Sequence, residues 1–168
     1  MKKLNNKGFS LVELIIVIAI MAILVGVVGT QVIPYLEQSR QGKDMQVFSG
    51  WNTAGMSAYS MNADKADANA PVTILITDGG ISVTNGGTAS TDGTNGSKGA
   101  NAIWNTFKEL TSLGTGNFGS LVSKEGKSNV KSVKIYIPAG TAGNIVTTIC
   151  TDTAGATEST VFTAIENK

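Results

Sequence analysis

The sequence has no histidine, and it has only one cysteine among its 168 residues. Without histidine the chain lacks the commonest general base of enzymes and the commonest side-chain ligand of metal ions. A single cysteine excludes a disulfide within the chain. This residue, Cys150, lies in the apolar run NIVTTICT, where we expect a small buried side chain and not a reactive thiol.

Charged residues make up only 15% of the chain, and the formal net charge is +1. After Lys2, Lys3 and Lys7 no basic stripe follows, so nucleic-acid binding through phosphates is not indicated. No paired carboxylates and no cluster of metal-ligating residues stand out either. The sequence therefore predicts a protein that is not an enzyme and that uses neither a metal nor another cofactor.

The segment GTGNFG, residues 114–119, has the glycine spacing of a dinucleotide-binding loop. Such a loop must follow a strand and open a helix, with an acidic residue about 20 positions later. Here a helical pattern precedes the segment, and no acid follows at that distance. We therefore interpret it as a flexible loop.

What the sequence does have is a long apolar run near its start. Residues 14–36, LIIVIAIMAILVGVVGTQVIPYL, contain no charged side chain, and about 20 apolar residues are enough for a helix to cross a bilayer. The run is longer than the roughly 7–15 residues of a signal-peptide core. A plain membrane anchor fits its length, and the lysines before it would place its N-terminus in the cytoplasm.

A plain anchor does not explain the acid Glu13 at the front of this run. The stretch KGFSLVE, residues 7–13, resembles the processing motif of type IV pilins and related pseudopilins. The resemblance implies that a prepilin peptidase cuts between Gly8 and Phe9 and that the new amino terminus of Phe9 is N-methylated. It also implies that Phe9 and Glu13, the first and fifth mature residues, serve assembly. The resemblance extends only to about residue 30.

The position of Glu13 has a physical explanation in this setting. An ionised side chain in hydrocarbon costs about 3 kcal/mol on insertion scales, so it needs a compensating partner. Cleavage would create one, the amine of Phe9, about 6 Å from Glu13 along a helix. The two charges could pair within one chain or between neighbouring chains, and the sequence does not distinguish these alternatives. The helix dipole alone would also favour an acid there, by about 0.3–1 kcal/mol.

The resemblance also implies partners and a location. The partners are the prepilin peptidase and methylase, the pilus assembly machinery, and identical subunits in a helical filament. Before assembly the chain would be a single-pass protein of the cytoplasmic membrane, and afterwards it would belong to a surface filament of the kind that serves cell adhesion or twitching motility. Pseudopilins of type II secretion or DNA-uptake machines share this N-terminus, and a membrane-anchored binding module is a further alternative.

We expect the helix to continue past the apolar run. Pro34 removes a backbone donor and should bend or break the helix. The resemblance to pilins implies that a section near such a proline loses helicity in the assembled filament, and here we expect that section at Gly26, Gly29 and Pro34. After Pro34, apolar residues recur at helical spacing, which predicts one bent helix from Phe9 to about Met61. The apolar face of its second half consists of Met45, Phe48, Trp51, Ala58 and Tyr59.

The rest of the sequence alternates strand patterns with polar turns. We predict a hairpin of strands 71–77 and 81–84, a polar loop at 85–101 and a short helix at 102–114. Three further strands are predicted in VKSVKIYIP, NIVTTICT and ESTVFTAI. Consecutive strands with tight turns favour an antiparallel sheet. The predicted fold is α+β, with a long bent N-terminal helix packed on a C-terminal antiparallel sheet.

Four segments follow from these patterns. They are a leader peptide at 1–8, a hydrophobic transmembrane and assembly helix at 9–36, an amphipathic helix half at 37–61, and a globular α+β head at 62–168. Many pilins close their final loop with a disulfide, which a single cysteine does not allow. We therefore expect strand packing to hold the C-terminal region.

Overall fold

The computed structural model describes residues 9–140 and 144–167. The helices are α1 (Leu11–Val27), a π-helical segment (Val28–Val32), α2 (Ile33–Met61), α3 (Lys98–Thr111), a 3-10 turn (Asn117–Ser120) and α4 (Lys124–Ser128); the strands are β1 (Val72–Thr77), β2 (Gly80–Asn85), β3 (Ser132–Ile137), β4 (Ile145–Cys150) and β5 (Ile165–Asn167). The chain divides into two compact units, with the boundary between Ser39 and Arg40.

The second unit contains a five-stranded antiparallel sheet in the order β2-β1-β3-β4-β5. β1 and β2 form the predicted hairpin, with Thr77 opposite Gly80 across the turn. β3 lies on the other side of β1, with Val72 opposite Ile137. The inward side chains of these strands are branched aliphatic residues, which suit a half-buried pleated surface. The predicted α+β class and antiparallel sheet are confirmed.

From Arg40 onward, α2 covers one face of this sheet. Its buried apolar side chains include Phe48, Trp51 and Ala58, and full burial of a large apolar side chain contributes about 1.5–3 kcal/mol. Gly55 permits a close approach, because a methyl group there would lie 3.1 Å from Ile135 Cδ1 and 3.3 Å from Ile74 Cδ1. The glycine that lowers helix propensity therefore lets helix and sheet pack together.

Asp44 is a charged residue of α2, but it is buried with 1% of its surface exposed. Its Oδ1 accepts a hydrogen bond from the backbone N–H of Val122 at 2.8 Å. Its Oδ2 accepts from the Ser123 backbone N–H at 3.0 Å and from the Ser123 hydroxyl. The acid thus joins α2 to the segment that opens α4.

The helix predicted at 102–114 is displaced toward the N-terminus and spans Lys98–Thr111. Ser97 caps it, with its Oγ accepting from the Ala100 N–H at 3.4 Å. Ser112 ends it in the left-handed conformation, with φ of 54°, two residues before the predicted stop at Gly114. The polar loop is correspondingly shorter than predicted, because residues 98–101 belong to α3.

The strand predicted over ESTVFTAI, residues 158–165, is largely wrong. Glu158 forms a single bridge to Cys150, and pairing resumes only at Ile165 in β5. Between them the chain leaves the sheet so that Phe162 can enter the core. There the Phe162 ring meets Phe48 edge-on, with 5.4 Å between ring centroids, an arrangement that aromatic pairs favour.

The interpretation of GTGNFG as a flexible loop is also wrong, because the segment is pinned to the sheet. Asn117 Oδ1 accepts from the Gly114 N–H at 2.8 Å, and its Nδ2 donates to the Thr77 carbonyl at 2.7 Å. Phe118 is buried, and its ring centroid lies 6.1 Å from that of Trp51. No dinucleotide-binding architecture surrounds it, since β2 and α3 precede it and β3 follows α4.

Candidate assembly segment

The predicted cleavage site lies at the start of the described chain. Gly8 and the leader, residues 1–8, lie outside the described residues. Phe9 is described and has 84% of its surface exposed. Ser10 has an extended backbone, with φ of −72° and ψ of 139°, and α1 begins at Leu11. The predicted mature N-terminus therefore lies just outside the helix.

Glu13 lies in the first turn of α1 and folds back toward the chain entry. Its Oε2 accepts a hydrogen bond from the backbone N–H of Ser10 at 2.9 Å. This bond satisfies one of the backbone donors that every helix N-terminus leaves without a helical partner. The negative charge also lies where the helix dipole favours it. In the uncleaved chain the Glu13 carboxylate is therefore bonded to Ser10, the residue that follows Phe9.

The role of Ser10 was missed by the sequence reasoning. Residues 10–13, SLVE, have the Ser-x-x-Glu spacing of a capping box. The Glu13 half of that motif is formed, through the bond from the Ser10 N–H. The spacing was a sufficient signal, because a capping box needs only these two residue types three positions apart just before an apolar run.

The surface of α1 is apolar and has no cover within the described chain. None of its residues is buried, and the exposed fraction reaches 74% at Leu11 and 70% at Val25. The helix from Leu11 to Met61 is the one among the described residues that is long and apolar enough to cross a membrane, by length and composition. This apolar surface suggests membrane anchoring.

Two glycines on this helix have free space beside them. A methyl group added at Gly26 or Gly29 would meet no other described part of the chain within 4 Å. Packing within the described chain therefore does not explain them. Small residues on apolar helices allow the backbones of neighbouring helices to approach closely.

The helix continues through the predicted break, but its hydrogen bonding changes. Val28–Val32 is π-helical and leads directly into α2, which contains Pro34. Pro34 cannot donate to the carbonyl of Thr30, and a π turn is one way in which a helix accommodates such a gap. Thr30 Oγ1 donates to the Gly26 carbonyl at 3.2 Å. The loss of helicity in a filament at Gly26, Gly29 and Pro34 stays a prediction.

Among the described residues, no three His, Cys, Asp or Glu side chains lie together in a group that could hold a metal ion. A groove of about 610 Å³ lies at the end of β1, and its lining includes Asp78, Lys127 and Lys131. Both lysines are exposed, so the groove alone identifies no ligand. Cys150 is buried, as predicted.

Comparison with known proteins identifies the N-terminal segment. Residues 3–29 match the family model described as the prokaryotic N-terminal methylation motif. This motif is the signature of type IV pilins and pseudopilins, so the suspected resemblance is confirmed for that part of the chain. Searches of curated proteins and of solved structures found no significant match.

Proposed function

We propose that this chain, which carries the N-terminal signature of type IV pilin-like and pseudopilin proteins, is a structural subunit of a type IV pilus filament. The observation that supports the proposal is the methylation motif on a helix whose apolar side chains have no cover in the described chain. A helix that is apolar on every side needs lipid or other protein around it. A membrane and then a filament core would supply these surroundings in turn.

In the proposed maturation, a prepilin peptidase cuts the peptide bond between Gly8 and Phe9 and methylates the new amine. The cut removes Lys2, Lys3 and Lys7 and leaves one new cation at the start of α1. The exposed side chain of Phe9 and the extended backbone of Ser10 support this proposal, because proteases act most readily on exposed segments outside regular structure.

In the proposed assembly step, the amine of Phe9 in an incoming subunit pairs with Glu13 of a neighbour. The bond from Ser10 occupies Oε2 of Glu13, and a carboxylate has about four acceptor sites. The local bond therefore leaves room for a cation. Pairing the two charges is more favourable in a low-dielectric surrounding than in water, provided that both stay hydrogen-bonded.

We further propose that the section from Gly26 to Pro34 becomes extended when the filament forms. Its π-helical turn and the missing donor of Pro34 support this proposal, because both leave the backbone bonding there weaker than in a regular α-helix. The free space beside Gly26 and Gly29 would accept neighbouring helices.

The proposed location follows from the same features. The unassembled subunit is a single-pass protein of the cytoplasmic membrane, with its N-terminus in the cytoplasm, and the assembled subunit is part of a surface filament. Its partners are the prepilin peptidase and methylase, the pilus assembly machinery and copies of itself. Cell adhesion and twitching motility are the uses that we propose for the filament.

A pseudopilin of a type II secretion or DNA-uptake machine is the second candidate, since the motif at residues 3–29 is common to both kinds of protein. A membrane-anchored binding module is the third, and it would need no cleavage at Gly8. The motif favours a structural subunit over an enzyme.

The first experiment is intact-mass measurement with N-terminal sequencing on protein sheared from the cell surface. A chain that begins at methylated Phe9 would support the proposal. A chain that begins at Met1 and stays in the membrane would overturn it and favour the anchored module. Processed protein that remains in the membrane at normal expression, with none in the sheared fraction, would favour the pseudopilin.

The second experiment tests Glu13 directly. Glu13→Ala should still be cleaved, but sheared filaments should fall at least about tenfold, because the amine of Phe9 would lose its counter-charge and an unpaired cation in an apolar surrounding costs more than about 1.4 kcal/mol. Glu109→Ala, which removes an exposed acid from α3, is the control and should assemble normally. Equal filament yield from both variants would contradict the assembly role of Glu13.

A further inference from the structure

Residues 151–158, here called the C-terminal clasp, fold over the outer face of the sheet. Gly155 is the buried residue of this segment. A methyl group there would lie 2.9 Å from Leu75 Cδ1 and 3.5 Å from Lys134 Cβ. Leu75 and Lys134 lie opposite each other on β1 and β3, and they alternate with the side chains that face α2. The clasp therefore extends from β4 across β3 to β1.

One carboxylate organises the clasp from within. Asp152 Oδ1 accepts from the backbone N–H of Ala154 at 2.8 Å and of Ala156 at 3.1 Å. Its Oδ2 accepts from the Ala156 N–H at 3.2 Å and from the Thr157 N–H. The clasp backbone thus closes around a single side chain, and charge-assisted bonds of this kind are stronger than neutral ones.

Two side chains of β3 fasten the clasp to the sheet. The Ser132 hydroxyl donates to the Asp152 carbonyl at 2.5 Å, and Lys134 Nζ donates to the Gly155 carbonyl at 2.7 Å. At its end, the Ser159 N–H donates to the Ile149 carbonyl at 2.8 Å. The clasp sequence, TDTAGATE, contains no large apolar side chain. Polar bonds and the contact at Gly155 therefore hold it in place.

The only thiol of the chain lies at the root of the clasp, on the sheet face that the clasp crosses. Cys150 is fully buried, and it lies opposite Ser132 in the sheet. Burial raises the pKa of its thiol, and the charges of Lys134, Asp152 and Glu158 also act on this pKa. Two of these charges belong to the clasp itself, and the third is the lysine that fastens it. A change in the position of the clasp would therefore change the charges around the Cys150 thiol.

We propose that the C-terminal clasp opens and closes as a local unit while the sheet stays folded, with Asp152 as the residue that holds it closed over Cys150. Segments that bury few apolar side chains open at lower free energy than the core. The strands beneath the clasp are the interior of the sheet, with β1 and β3 paired over six residues each. Opening converts Cys150 from a masked thiol into an accessible one.

The test measures the rate of Cys150 labelling by a disulfide reagent such as dithiodipyridine, on the full chain in detergent micelles. Local opening exposes little surface, so the wild-type rate should hardly change with urea below the unfolding transition. If Cys150 reacts only after global unfolding, the logarithm of the labelling rate should rise with urea concentration as steeply as the unfolding equilibrium does. That second outcome would overturn the proposal.

A pair of variants tests the role of Asp152. Asp152→Asn should label about tenfold faster at pH 7, because it removes the charge from the bonds that close the clasp. Asp92→Asn is the matched control, since Asp92 accepts backbone bonds from Thr94 and Asn95 in another loop, and it should label at the wild-type rate. Equal rates for Asp152→Asn and wild type would contradict the role of Asp152.

Discussion

A carboxylate inside a helix–sheet interface is tolerated when its oxygens receive hydrogen bonds. Asp44 meets this condition, because backbone and side-chain donors of Val122 and Ser123 reach both oxygens. Gly126 stands close to the same site and donates from its N–H to Ser123 Oγ at 2.8 Å. Asp44 therefore fixes the start of α4 against α2 within the second unit.

We predict that Asp44→Ala lowers the free energy of unfolding by about 3 kcal/mol, since it leaves the half-buried N–H of Val122 and the buried N–H and hydroxyl of Ser123 without their acceptor. Urea unfolding followed by circular dichroism measures this change. Asp64→Ala, which removes an exposed acid after α2, should change stability by no more than about 0.5 kcal/mol. Similar values for both variants would show that Asp44 is not a structural acid.

At the residue scale, the sequence could predict those roles whose partners are near in the chain. Phe9 and Glu13 are four residues apart, and their motif is local. The partners of Asp44 are 78 and 79 residues away, and no periodicity in α2 points to them. A charged residue in a helix usually faces solvent, and this default gave the wrong position.

At the scale of elements, β1 to β4 were predictable because each is an apolar run bounded by Gly, Pro, Asp or Asn. The C-terminal strand was not, since Phe162 leaves the ladder and packs in the core against Phe48, a contact that is distant in sequence. The start of α3 was missed because its first turn, KGAN, has no large apolar residue. Gly99 in this turn is buried, and its burial depends on the tertiary fold and not on local sequence.

The clasp should respond to acid in a defined direction. The Ala156 N–H, followed by the side chain and N–H of Thr157, lowers the pKa of Asp152 from 3.8 to about 2. A group whose folded pKa is depressed stabilises the closed state fully above its unfolded pKa and loses this effect as the pH falls through the folded pKa. Closure should therefore weaken between pH 3.8 and pH 2.

The measurement is the ratio of Cys150 labelling rates in Asp152→Asn and wild type. The ratio largely cancels the ionisation of the thiol itself, which both proteins share. It should be constant above about pH 4 and fall toward one near about pH 2, since protonated Asp152 resembles the amide. A ratio that does not change with pH would contradict this prediction.

At the scale of the whole molecule, the division between Ser39 and Arg40 separates two kinds of surface. The first unit exposes its apolar side chains, whereas the buried core begins at Phe48 and belongs entirely to the second. The second unit has its own helix, sheet and core, which is the usual condition for independent folding.

We predict that residues 40–168 alone are soluble without detergent and unfold cooperatively, with a stability in the usual range of about 5–15 kcal/mol. Gel filtration and urea unfolding would check this. The matched comparison is the chain from Phe9, which should need detergent because α1 is exposed. Aggregation of the shorter chain, or a non-cooperative transition, would show that the first unit is needed for folding.

The N-terminal motif gave the proposed function from sequence alone, because a peptidase reads a short local segment. Residues 62–168 contain no motif that indicates a function, since their apolar pattern predicts the packing of helices and strands and not a reaction or a ligand. Asp152 lies in a polar turn between two predicted strands, and the hydrogen bond from Ser132 on β3 to its carbonyl could not be predicted from local sequence.

Hydrogen bonds of Asp152 and Lys134 hold the C-terminal clasp, and no disulfide within the chain does so. This has a consequence for biosynthesis. No disulfide bond within this chain has to form for it to fold, because it contains one cysteine and that cysteine is buried as a free thiol. Its head can mature in reducing and oxidising compartments alike, without an oxidoreductase or an isomerase to sort pairings. A cell that makes this chain therefore does not need thiol oxidation to fold it.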